Sequence, residues 1–160
     1  MSIFSSISQP HYPNAALGID HDLMTAVALE GSRRQYSIRQ AASVEVPDGL
    51  ITPNFLARNI TDAGAFAACL HEAAESAGML NQKRWSIALP SNTARSTILS
   101  LETEPANRSE SDEVIDWKAE QSFGAPAAEL RIAKQKISPD RDGRSRYFVT
   151  AVKLAVIDEY

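Results

Sequence analysis

The feature that most constrains this chain is the spacing of its apolar residues between positions 15 and 46. Leu17 and Ile19, then Met24, Val27 and Leu29, then Tyr36, Ile38, Val44 and Val46 fall into three short runs, interrupted only by residues 20–22 and 31–34. Such runs, bounded by polar and glycine-containing clusters, read as three strands joined by turns. Residues 47–59 bring Pro, Asp, Gly and Asn in quick succession and read as a loop crossing the sheet. The rhythm then changes to that of a helix. Thr61 or Asp62 is placed to accept orphan amide hydrogens at its start, Phe66, Leu70, Ala73 and Ala77 share one face, and Gly78 supplies the C-terminal cap. Trp85, Ile87 and Leu89 alternate as a fourth strand, which Pro90 ends.

The second half opens with a strand over residues 95–102 and a connecting loop over 104–108. Ser109 followed by Asp112 has the spacing of a capping box, and Val114, Ile115, Trp117, Ala119 and Phe123 give the next helix its apolar face. Gly124 and Pro126 end it. Residues 130–137 and 146–152 read as a hairpin around a turn at 139–143. A last helix begins at 154 and has no visible end by Tyr160, the pattern expected of a fragment of a longer chain.

The totals exclude several classes. At 160 residues and 44% hydrophobic composition the chain is long enough to bury a core. Its net charge is only -4, with Lys and Arg scattered, so it lacks the basic footprint that sequence-independent nucleic-acid binding requires. Cys69 is the sole cysteine, which rules out an intrachain disulfide and a multi-cysteine metal site and suits a reducing compartment. The longest apolar stretch, around 65–70, falls far short of the roughly 20 residues needed to span a bilayer. Residues 1–14 lack the basic and hydrophobic regions of a secretion signal and read as a tail, with Ile3, Phe4 and Ile7 as local anchors before Pro10 and Pro13.

Five local sequences in order carry a family resemblance. Gly18-Ile19-Asp20 runs from a first strand into a loop, and Val46-Pro47-Asp48-Gly49-Leu50-Ile51 has a P-x-G-L-I step. Ile87-Ala88-Leu89-Pro90-Ser91 joins a strand to L-P-S, residues 113–123 hold a central W-x-A-E-Q, and residues 148–153 close a strand ahead of a helix ending in D-E-Y. Over residues 17–160 the chain resembles the N-terminal half of PilM-type type IV pilus assembly proteins, in the FtsA and PilM branch of the actin-like superfamily. The resemblance implies a mixed α/β fold. Residues 15–90 would form part of a first actin-like subdomain, and residues 91–160 an inserted strand-helix-strand-strand subdomain.

In nucleotide-binding members of that branch, the loop after the first strand is glycine-rich with small hydroxyl residues, because backbone amides must approach phosphate oxygens. The corresponding candidates here are Gly18, Asp20, Asp22, Leu23, Met24 and Thr25. Asp22 stands in place of the glycine, Leu23 and Met24 in place of small polar residues, and Val27 where a lysine is common. Each change weakens a phosphate site, and a carboxylate facing phosphate opposes binding outright. Asp20 retains the option of holding Mg²⁺ through water; the plainer reading of 20–22 is a polar hairpin turn. No cofactor is expected in this stretch, ATP with Mg²⁺ belonging to a longer parent if to anything, and an active parent would be an ATPase.

His21 beside Asp22 raises a metal or acid-base role, but His11 and His71 lie at no ligand spacing to it, and a solvated turn histidine is the simpler reading. No nucleophile motif or defined carboxylate pair is present, and Cys69 reads as a small core residue. By the resemblance, the partner is the cytoplasmic N-terminal tail of a PilN-like inner-membrane protein, bound in a groove between the two subdomains. Leu89, Pro90, Ser91, Asn92, Thr93, Trp117 and Phe123 are the candidate lining, the two aromatics being core residues on the alternative reading. The function expected is that of a cytoplasmic adaptor, peripheral at the inner membrane through its partner and meeting other pilus assembly proteins there. An ATP-dependent actin-like switch and an FtsA-like cell-division scaffold are the rival readings.

Overall fold

The computed structural model describes residues 12–32, 35–102 and 105–160. The reading of residues 1–11 as a tail therefore lies outside the described residues. The fold is mixed α/β, and the chain divides into two compact units, Met1–Ile51 with Asp62–Pro90 and Thr52–Thr61 with Ser91–Tyr160.

In the first unit, β1 (Ala15–Ile19), β2 (Leu23–Ser32) and β3 (Gln35–Glu45) form an antiparallel meander, and β4 (Ser86–Ala88) joins β1 in parallel, giving the order β3-β2-β1-β4. Strand alternation sets which face is buried, and in β2 that face is Met24, Ala26 and Ala28, the expected Val27 and Leu29 lying half-buried on the other. Ala15, Leu17 and Ile19 of β1 and Met24, Ala26 and Ala28 of β2 all point inward, because successive strand side chains point to opposite faces. The pairing shifts register between Ala28 and Leu29, and Tyr36 and Ile38 beyond it are exposed. Helix α1 (Ala63–Ser76) presents Phe66, Cys69 and Ala73 as its buried side, so Cys69 is indeed core, and Leu70 is only half-buried. Of the two candidate caps Asp62 takes the role, its carboxylate accepting the amides of Gly64 and Ala65 at 2.8 and 3.0 Å. At the other end Gly78 adopts φ 66°, and the amides of Gly78 and Met79 return to the carbonyls of Glu75 and Ala74. That is a Schellman ending.

In the second unit, β5 (Arg95–Ser100), β6 (Leu130–Ile137) and β7 (Arg146–Lys153) form an antiparallel sheet of order β5-β7-β6, with α2 (Arg108–Phe123) on one face and the short α3 (Leu154–Ile157) after β7. The core gathers Leu99, Leu101, Ile115, Ala119, Phe123, Leu130, Val149 and Ala151. Phe55 joins it from the Thr52–Thr61 segment, 6.1 Å from the Phe123 ring and capped by the Arg95 guanidinium at 4.7 Å. The α2 start differs from the expected Ser109 box. Asn107 is the cap, accepting the Glu110 amide at 3.0 Å, while the Glu110 carboxylate accepts the Ala106 amide at 2.7 Å. The cap is thus an Asn-x-x-Glu pair two residues earlier, with the glutamate reaching back past the cap residue to the amide before it. Gly124, at φ 70°, ends the helix.

Candidate functional site

The β1–β2 connection is a tight turn of Asp20, His21 and Asp22. The Asp20 amide donates to the Leu23 carbonyl at 2.8 Å, the Asp22 carbonyl accepts the Val46 amide at 2.9 Å, and the His21 amide donates to its neighbour's Oδ1 at 2.8 Å. His21 Nδ1 lies 3.0 Å from Asp20 Oδ1 and 3.7 Å from Asp22 Oδ1, with all three side chains in solvent. The hydrogen bond to Asp20 and the charge of Asp22 hold the His21 pKa above its ordinary value, and the hydrogen bond from His21 draws that of Asp20 down.

Leu23, Met24 and Thr25 belong to β2 and not to this loop, because the turn closes after three residues. Met24 is fully buried, Leu23 is 41% exposed, and the Thr25 hydroxyl is engaged with Ser43 Oγ at 2.9 Å. Gly18 sits within β1, paired with Thr25. The residues do not fit a nucleotide phosphate. Two of the three turn amides are already spent on internal acceptors, and two exposed carboxylates flank the tip. One ligand atom from each of Asp20, His21 and Asp22 lies within 4.8 Å of the others. Three consecutive exposed side chains on a single turn come this close in many solvated acidic turns.

The candidate groove residues separate by burial. Leu89 and Pro90 belong to the first unit, half-buried and buried respectively. Ser91, Asn92 and Thr93 open the second unit as a short 3-10 turn, with Ser91 and Asn92 exposed and Thr93 fully buried. Phe123 lies in the core of the second unit, so neither it nor Thr93 offers surface to a partner. Trp117 does the opposite. The sequence pattern assigns it to the apolar face of α2, yet it is 60% exposed. The inward stripe is Ile115, Ala119 and Phe123 at intervals of four, and position 117 falls on the other side of a 3.6-residue helix. Trp117 instead lines a surface depression with Leu101, Glu102, Pro105, Glu110, Val114 and Lys118.

A buried polar cluster escaped the sequence reading. Asn59 is 1% exposed; its Nδ2 donates to the carbonyls of Asn54 and Ala57 at 2.9 and 2.8 Å, and its Oδ1 accepts the Asn54 amide. One carboxylate oxygen of Glu159 accepts the backbone amides of Asn59 and Ile60 at 2.6 and 2.9 Å. The network fastens the Thr52–Thr61 segment inside the second unit. The density of Asn and Pro in residues 52–59 was the available signal, but it indicates a loop and not the loop's anchor one hundred residues away.

No family model matches the chain, and no curated protein matches it by sequence. Among solved structures it is similar to a chain of the PilM-PilN type IV pilus biogenesis complex, with a TM-score of 0.71 and 18% identity over 94% of this chain and 43% of that one. It is also similar to the cytoplasmic domain of EpsL, an inner membrane component of the type II secretion system of Vibrio cholerae, with a TM-score of 0.53 and 14% identity over 91% of this chain and 50% of that one. The chain thus spans about half the length of the structures it matches. Among the described residues no helix is long and apolar enough to cross a membrane. The chain has a PilM-like fold.

Proposed function

We propose that this chain is the N-terminal part of a non-catalytic adaptor in a type IV pilus or related secretion machine, binding the cytoplasmic N-terminal tail of a PilN-like inner-membrane protein. The observation that carries the reading is the conjunction of a PilM-like fold along 94% of the chain with an acidic three-residue turn where the branch's phosphate loop would stand. That turn moves the function from turnover to docking. The second unit offers what an extended apolar tail requires: an exposed indole beside a depression, and the exposed polar pair Ser91 and Asn92 with hydrogen-bonding groups. The adaptor would work at the cytoplasmic face of the inner membrane, held there by its partner, with no helix among the described residues long and apolar enough to cross a membrane.

The test is titration of a PilN-like N-terminal peptide against the folded chain by calorimetry. Saturable binding that weakens in the Trp117→Ala variant is expected. Absence of saturable binding to a chain shown by circular dichroism to be folded overturns the proposal. The ATP-switch alternative makes the opposite demand on the Asp20 to Asp22 turn, and tight Mg-ATP binding by the longer parent protein would establish it in place of the adaptor.

A further inference from the structure

The tail site of the second unit carries charge as well as apolar surface. Glu110, Glu113 and Trp117 are exposed and recur along α2 at intervals of three and four, so they share one side of the helix. Both carboxylates precede the indole, within one turn of each other. Glu102, exposed in the segment after β5, lines the same depression as Glu110 and Trp117. Beyond the indole the stripe is uncharged, Gln121 coming next at an interval of four. Asp112 and Asp116 are engaged instead with Lys134 of the sheet, which lies 2.6 and 3.8 Å from them. Negative charge is therefore gathered at one end of the indole and not spread around it. Lys118 is the one cation among the described residues lining the depression, against these three carboxylates.

This arrangement discriminates between occupants. Leu101 is buried and Pro105 and Val114 are half-buried, so the walls are apolar. A wholly apolar side chain seated there would strip water from the carboxylates and return nothing to them. A basic side chain lays its methylene stem along the apolar wall, sets its cation against the indole and leaves its charge among the carboxylates. Of the two basic side chains, only arginine has a planar group that stacks on an aromatic face and forks toward carboxylate oxygens. Glu110 is held ready for it, because one of its oxygens accepts the Ala106 amide at 2.7 Å and so fixes the carboxylate. Cytoplasmic segments that flank a membrane helix are enriched in Lys and Arg. A tail of the kind proposed above therefore has such a side chain to give.

We infer that the depression beside Trp117 receives a single arginine side chain of the docking tail, stacked on the indole and paired with Glu102, Glu110 and Glu113. One cation is what a cluster gathered at one end of one indole can hold. The inference rests on the adaptor reading and deepens it, since the arginine decides which stretch of the tail is seated.

Calorimetry of the folded chain with two PilN-like N-terminal peptides tests it, the pair being identical except that the arginine of one is citrulline, its neutral isostere, in the other. The arginine peptide is expected to bind about tenfold more tightly at low salt, and the gap to narrow as salt is raised to about 300 mM. Glu102→Gln with Glu113→Gln changes two exposed side chains and leaves the Glu110 cap intact. In that variant the gap is expected to close through weaker binding of the arginine peptide, the citrulline peptide keeping its affinity. Equal affinity of the two peptides for the wild-type chain, or a gap that survives in the double variant, overturns the arginine site and leaves the adaptor reading standing. Absence of binding by both peptides overturns the adaptor reading and the arginine site with it.

Discussion

Asn59 shows what a single residue contributes when it is wholly enclosed. Its side chain makes three hydrogen bonds with no water to replace them, and an unsatisfied buried group costs about 1–3 kcal/mol. Asn59→Ala is expected to lower unfolding free energy by about 2–4 kcal/mol, since it strands the Asn54 amide and two carbonyls at once; urea denaturation measures it. Phe123 and Trp117 lie on one helix and predict opposite outcomes. Phe123→Ala should cost about 3–5 kcal/mol, whereas Trp117→Ala should change stability by under about 0.5 kcal/mol. Equal losses in the two variants would refute the assignment of Trp117 to the surface. His21 makes a prediction about pH. Its folded pKa lies above 6.5, so whatever stability its proton brings is complete below pH 6.5 and disappears as pH rises through the folded value. For Asp20 the direction reverses: its contribution is present above 3.8 and is lost as pH falls through its lowered folded pKa. NMR titration of the His21 ring should show a midpoint above 6.5 that falls in Asp20→Asn and falls further when Asp22→Asn is added. An unmoved midpoint would show that the contacts do not persist in solution.

At the scale of elements, the helix ends were the most readable part of the sequence and the strand partners the least. Asp62, Gly78 and Gly124 each signal a helix end through a chemistry that acts within a few residues. The Asn107 cap was missed because two local solutions, Asn-x-x-Glu and Ser-x-x-Asp, overlap in one stretch, and the choice between them depends on where the apolar face must begin. Asn107→Ala should cost about 1 kcal/mol. Gly78→Ala should cost about as much or more, because φ 66° disfavours a Cβ that would also lie 3.2 Å from Gln40 Nε2; thermal denaturation of both variants is the check. The candidate site was legible to the extent that it is local. The acidic character of residues 20–22 is visible in the sequence, but that Met24 is core while Trp117 is surface depends on which side of a strand or helix each occupies.

Across the whole molecule, the division into two units means that damage to one core should be felt chiefly there. Ile115 is completely buried in the second unit, and Ile115→Ala is expected to cost about 2–5 kcal/mol. Hydrogen-exchange protection should then fall in α2, β5, β6 and β7 and hold in β1, β2 and α1, and a uniform fall would contradict the division. The sequence by itself determined the order of strands and helices, the buried face of β1 and most of that of α1, the helix stops, and the acidic character of the turn after β1. All of these follow from periodicity and from backbone chemistry between near neighbours. Only the tertiary structure decided that β4 runs parallel beside β1, that Phe55 enters the second core, and that Glu159 anchors Asn59 and Ile60 from one hundred residues away. Those depend on contacts whose partners are distant in the chain, and no local pattern records which distant partner a strand edge, an aromatic ring or a carboxylate will meet.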